Sequence, residues 1–169
     1  MDYHDFGEGP VPAHRHLNGG GWVANTARVA PTAFVGPEAE VFDDARVFDD
    51  ACVYGCARVF GTAEVRGDAS VSGEAKVYEH ALVSGSAMVY GCAKVFGRAW
   101  VSNGGRVFDR AQVEGHARVY ERAEVYGDAV VSGEAKVLGS AYVYDNVRVL
   151  GQAQVTGQSI LRGDTVLTA

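Results

Sequence analysis

The chain has 169 residues, 47% hydrophobic and 21% charged, with a formal net charge of −6 and a pI near 5.3. That length supports one domain with a continuous core. An acidic balance with both signs interleaved argues against a general binder of nucleic acid or of anionic membranes, and no apolar run is long enough for a transmembrane helix.

Residues 1–22, MDYHDFGEGPVPAHRHLNGGGW, follow no period and lack the basic start and apolar stretch of a secretory signal. Pro10, Pro12 and the run Asn18-Gly19-Gly20-Gly21 mark an irregular amino-terminal capping segment, with Trp22 as a plug over the coil that follows. Three of the five histidines lie here, at His4, His14 and His16. His14 and His16 fall on one side of an extended segment and are candidate ligands for a divalent metal, although polar capping accounts for them more simply.

From Val23 onward a valine recurs at every sixth residue up to Leu161, and Leu167 continues the series. Residues 23–166 thus hold 24 hexads without an insertion. The position four after each valine is alanine in 20 of the 24, the exceptions being Gly105, Val147, Ser159 and Thr165. In an extended strand, residues two apart share a face, so Ala57 and Val59 point inward while Cys56 and Arg58 point out. The next inward pair is Ala63 and Val65, and that phase requires a turn in between.

The position two after each valine is Gly in 14 hexads and Asn or Asp in six. These residues tolerate positive φ, which a type II turn needs at its second central position. Glu79, Glu121, Pro31 and Pro37 depart from the rule, so their turns are expected to differ. Strand pair, corner and strand pair again describe a β-solenoid. Three corners would close a triangular coil of 18 residues, although the period alone does not separate three from four.

With hexads such as VAPTAFV and VGPEAEV, an aliphatic residue followed four later by a small one, the chain resembles the hexapeptide-repeat family over residues 23–167. The resemblance implies an all-β, left-handed parallel β-helix of about eight triangular coils for residues 23–169. At about 4.8 Å per coil the prism is roughly 38 Å long.

An 18-residue coil arranges the outside in ladders. One corner carries Phe42, Phe60, Tyr78 and Phe96; another carries Tyr54, Ser72, Tyr90, Phe108, Tyr126 and Tyr144. Stacked aromatics of this kind stabilise adjacent strands without any ligand. The apolar outward pair Leu82 and Trp100 is the better interface candidate. Arg46 is expected beside Glu64, and Glu40 beside Arg58. Arg58, Lys76 and Lys94 form an unfavourable run, which Glu74 relieves at Lys76. Cys56 and Cys92 are two coils apart, too far for a disulfide, and three cysteines suggest reduced thiols in a cytoplasmic setting. At the far end Ile160, Val166 and Leu167 are expected to drive self-association through the C-terminal coil.

Two functions follow as expectations. One is a non-catalytic solenoid, a rigid scaffold or self-associating protein-interaction module without a cofactor, forming a dimer through its C-terminal coil or a trimer. The other, implied by the resemblance, is an acyltransferase using an acyl-CoA or acyl-carrier donor, with His80 or His116 as general base. The uninterrupted coils lack the loops that usually build a substrate pocket in that family, which favours the scaffold.

Overall fold

The computed structural model describes residues 2–169, and every regular element in them is a strand. An amino-terminal hairpin, β1 (Asp2–Asp5) and β2 (Pro10–Arg15), leads into β3 (Trp22–Ala24). Then come β4 (Arg28–Val29), β5 (Phe34–Val35), β6 (Glu40–Val41) and further strands of two or three residues, ending with Val166–Thr168. Every third strand shares a sheet, giving one sheet of 11 strands and two of eight. Glu64 pairs with Leu82 and Val65 with Val83, a step of 18 residues that recurs along all three sheets and settles the number of corners at three. The chain is a parallel β-solenoid of about eight coils.

Alternation within each hexad places the core. Ala57, Val59, Ala63 and Val65 are fully buried, as are their counterparts coil after coil, while the residues between them face outward. Each buried valine contributes about 1.5–3 kcal/mol of gross hydrophobic stabilisation, most of it offset by chain entropy.

The corners follow one rule more strictly than their residues suggest. All 14 repeat glycines have positive φ, and so do Asp43, Asp49, Asn103, Asp109 and Asp145. Glu79 (φ 58°) and Glu121 (φ 64°) adopt the same conformation, contrary to the expectation of different turns, whereas Asn25, Pro31 and Pro37 do not. The positive-φ residue also sits at the first central position of its turn, not the second. The closing bond runs from the Ala63 N–H to the Phe60 carbonyl (3.4 Å), and Gly61 follows Phe60 directly. The intervening Thr62 N–H is committed instead to the Glu79 carbonyl one coil on (2.8 Å).

That arrangement explains the acidic residues at turns. The Glu79 carboxylate accepts the Gly97 N–H at 2.8 Å, and Asp43, Asp49, Asp109 and Asp145 accept in the same way from Gly61, Gly67, Gly127 and Gly163. The left-handed conformation costs about 1–2 kcal/mol in a residue with a Cβ, and a bond from the next coil offsets it.

The lead-in is regular rather than irregular. β1 pairs antiparallel with β2, and β2 pairs antiparallel with β3, so the hairpin covers one sheet edge of the first coil. The glycine run covers a second. The Gly21 N–H bonds the Val35 carbonyl (2.8 Å), and the Val35 N–H bonds the Asn18 carbonyl (3.0 Å). A Cβ on Gly19 would lie 2.3 Å from the Val35 oxygen, so close backbone approach requires glycine there. Trp22 is no plug over the valine core. It occupies an outward position and packs with a separate cluster of Phe6, Ala13, Ala24 and Phe42.

Two substitutions test this architecture. Val89→Asp places a carboxylate at a fully buried position with no partner, and a fall in Tm of at least about 10 °C is expected by calorimetry. Glu79→Ala keeps the strained turn but loses its bond to Gly97, and urea titration is expected to show a loss of about 1 kcal/mol. Glu79→Gly removes strain and bond together and is expected to be close to neutral.

Candidate functional site

The outward residues form two continuous ring stacks. Phe42, Phe60, Tyr78 and Phe96 lie 4.9 Å apart and within 3° of parallel. Tyr90, Phe108, Tyr126 and Tyr144 stack at 4.7–4.9 Å, while Tyr54 stands apart below Ser72 and is 42% exposed. The first stack reaches further than its period implies, because Phe6 of the hairpin loop lies 4.8 Å from Phe42 as an additional ring. Stacking removes water from the phenols. The Tyr78, Tyr90 and Tyr126 hydroxyls are all held above the ordinary tyrosine range, chiefly by desolvation and also by nearby carboxylates such as Glu79 and Glu124.

The hairpin is clamped by a polar node. Glu40 accepts from Arg58 Nε at 2.8 Å and lies 2.8 Å from His4 Nε2, and Arg58 also bonds the Phe6 carbonyl. His4 stacks on Trp22 at 4.6 Å, and the Arg15 guanidinium lies 4.1 Å from the Trp22 ring centre. No periodic signal marks Phe6 or His4, which is why the clamp is not legible in the sequence. Asp5 closes the hairpin loop by accepting the Gly7 and Gly9 N–H groups, and these bonds lower its pKa.

The other candidates are dispersed. His14 is exposed and 2.9 Å from the Asn25 side-chain oxygen, while His16 is buried and turned to the Asn18 carbonyl. Among the described residues no group of three His, Cys, Asp or Glu side chains is gathered as a metal site would need. His80 bonds the Thr62 hydroxyl (2.6 Å). His116 lies in a groove of about 460 Å³ with Arg118, Glu134, Lys136, Gln152 and Gln154. A second groove, of about 390 Å³, lies where the hairpin loop meets Glu38, Cys56 and Arg58.

Two expected charge contacts differ. Glu64 is in register with Arg46 but bonds Arg66 (3.2 Å), its neighbour two residues on across the same strand end. Glu74 does not bridge to Lys76 and instead lies 3.7 Å from the Cys92 sulfur. All three cysteines are free. Cys56 donates to Glu38 (3.5 Å), and this bond, with desolvation and the negative charge of Glu38, Glu74 and Glu40, pushes its thiol pKa up.

Leu82 and Trp100 are register partners on adjacent coils, and Trp100 is 37% exposed. Its indole N–H donates to the Ser84 hydroxyl (3.0 Å), and the Arg118 guanidinium stands 5.6 Å from its ring centre. On the last coil Ile160 and Val166 are 61% and 58% exposed, with Leu167 half-buried. Comparison with protein-family models, curated proteins and solved structures finds no match for this chain.

The tyrosine and Cys56 shifts can be tested. The folded chain holds the Tyr78, Tyr90 and Tyr126 protons beyond the pH at which the unfolded chain releases them, so stability is expected to fall as pH rises above about 10. Tyrosinate absorbance should develop later in the folded chain than in guanidinium, and superimposable titrations would contradict the stacking account. At Cys56, Glu38→Gln removes the carboxylate charge that disfavours the thiolate and is expected to accelerate alkylation at neutral pH, read by peptide mapping.

Proposed function

We propose that this chain is a non-catalytic β-solenoid of the hexapeptide-repeat type, left-handed, that serves as a rigid scaffold and self-associating interaction module. The supporting observation is the unbroken run of hexads, which leaves three flat sheets with no loop inserted between coils. Binding surfaces on such a prism are faces and ends, and those suit large flat partners better than enclosed small molecules. The apolar residues placed there are Leu82 and Trp100 on one face and Ile160, Val166 and Leu167 on the last coil. Either set supports a dimer, or a trimer of prisms side by side. Three free cysteines fit a reducing, cytoplasmic setting.

An acyltransferase is the second reading. It is favoured by one observation, the placement of His116 in a groove with the cations Arg118 and Lys136. A general base beside groups that neutralise an anionic donor is the arrangement such chemistry needs.

Sedimentation equilibrium separates the two when paired with a calorimetric titration of acetyl-CoA. The scaffold reading expects a mass that rises above 17.9 kDa with protein concentration, and no heat from acetyl-CoA. A strict monomer at the highest concentration reached, with saturable acetyl-CoA binding lost in His116→Ala, would overturn it.

A further inference from the structure

The sheet that begins at β4 presents three parallel rows of outward side chains. Its central row reads Arg46, Glu64, Leu82, Trp100, Arg118, Lys136 in successive coils. The flanking row, one residue after each valine, reads Phe48, Arg66, Ser84, Ser102, Tyr120, Leu138. The rows are not symmetric in composition, yet they are complementary to themselves when reversed.

The rows point to a second copy of this chain as the occupant of this face, and we propose that two prisms dock here antiparallel. The two-fold axis would lie in the interface between the coils of Leu82 and Trp100. The inference rests on the self-associating reading and specifies its surface. A two-fold of that kind keeps each row opposite itself and reverses its order. Leu82 then meets the partner copy's Trp100, and Glu64 meets its Arg118. In the flanking row Ser84 meets Ser102, Arg66 meets Tyr120, and Phe48 meets Leu138. Apolar residues meet apolar ones, a carboxylate meets a guanidinium, and a guanidinium meets an aromatic ring.

Local geometry prepares the contact. The Trp100 ring is already fixed by its bond to Ser84, so docking orders little that is mobile. Ser84 and Ser102 are already nine-tenths buried within their own chain, Ser84 bonded to the Trp100 indole, so Leu82 and Trp100 make the contact nearest the axis. Arg118 has no carboxylate within ion-pair distance among the described residues, and Glu64, whose Oε1 holds Arg66 at 3.2 Å, keeps its second carboxylate oxygen for the second copy's Arg118. One coil further out Arg46 faces Lys136 and, at the corner, Asp44 faces Glu134. There each cation finds its opposite only on the diagonal, and the attraction is concentrated in the inner four coils. Full overlap of a side of roughly 15 Å by about 38 Å buries on the order of 1,100 Å² in total, about half of it in the inner four coils, which puts the pair at the small, weakly associating end of specific interfaces.

Sedimentation velocity of the full chain and its variants tests the docking, with circular dichroism to confirm folding. Trp100→Glu is expected to weaken dimerisation at least about tenfold, because it places charge at the centre of the face. Glu64→Arg and Arg118→Glu should each weaken it. The double variant should regain most of the loss, because the two-fold recreates both pairs with charges exchanged. Dimerisation unaffected by Trp100→Glu but lost in Ile160→Asp/Val166→Asp would overturn this face while leaving self-association intact. Failure of the double variant to recover would overturn the antiparallel register, and a wild-type chain that never dimerises would remove both this inference and the reading beneath it.

Discussion

Most backbone hydrogen bonds in this molecule run from one coil to the next. Arg58 N–H reaches the Ala75 carbonyl (3.0 Å), Phe60 N–H the Val77 carbonyl (3.0 Å) and Thr62 N–H the Glu79 carbonyl (2.8 Å), and the same steps recur along the chain. Each strand of the coils is only two or three residues long, so no strand pair is stable alone and the coils hold together as a stack. A one-residue insertion within a strand would displace the bonds that bridge it to the coils on either side and turn that strand's valine outward. The strict six-residue phase, the positive-φ turn in almost every corner and an interior built mainly of valine and alanine are consequences of that constraint.

Because core and turn occupy three of every six positions, the remaining three are free to differ. The free positions are where stacking energy and charge accumulate: rings 4.7–4.9 Å apart at two corners, and carboxylates that reach the turn amide of the next coil. These contacts repeat at the pitch of the strands, so they reinforce the stack without changing it. The hairpin uses the same device at its own end, adding Phe6 to the ring stack and closing a sheet edge that would otherwise be open.

Much of the fold is legible in the hexads, since alternation separates Ala57 and Val59 from Cys56 and Arg58 without reference to anything distant. The number of sides is not, because every side obeys the same six-residue rule and only the pairing of Glu64 with Leu82 counts them. The intrinsic preference of Glu79 and Glu121 opposes positive φ and points to different turns, but the neighbouring coils impose the common shape on both, while Pro31 and Pro37, whose rings fix φ, keep turns of another kind. The run Asn18–Gly21 reads as a loop in sequence and proves to be a close-packed cover, a distinction that depends on Val35 lying against it. Glu64 could not be paired correctly from its ladder position alone, since Arg46 and Arg66 are both within reach and local geometry chooses. For the candidate site, the ladder positions of Leu82, Trp100 and His116 follow from the period. Their surroundings, the Ser84 bond and the groove, require the folded chain.

A coil of 18 residues is the interchangeable unit of this protein. Deleting residues 77–94 removes one whole coil and joins Lys76 to Val95 in phase, whereas deleting residues 79–94 removes nearly as much but breaks the phase. Urea unfolding followed by far-ultraviolet circular dichroism compares the two. The 18-residue deletion is expected to unfold cooperatively with an m-value lower by about one eighth, and the shorter deletion to show no cooperative transition. Two deletions of equal stability, or loss of folding in the in-phase one, would contradict it.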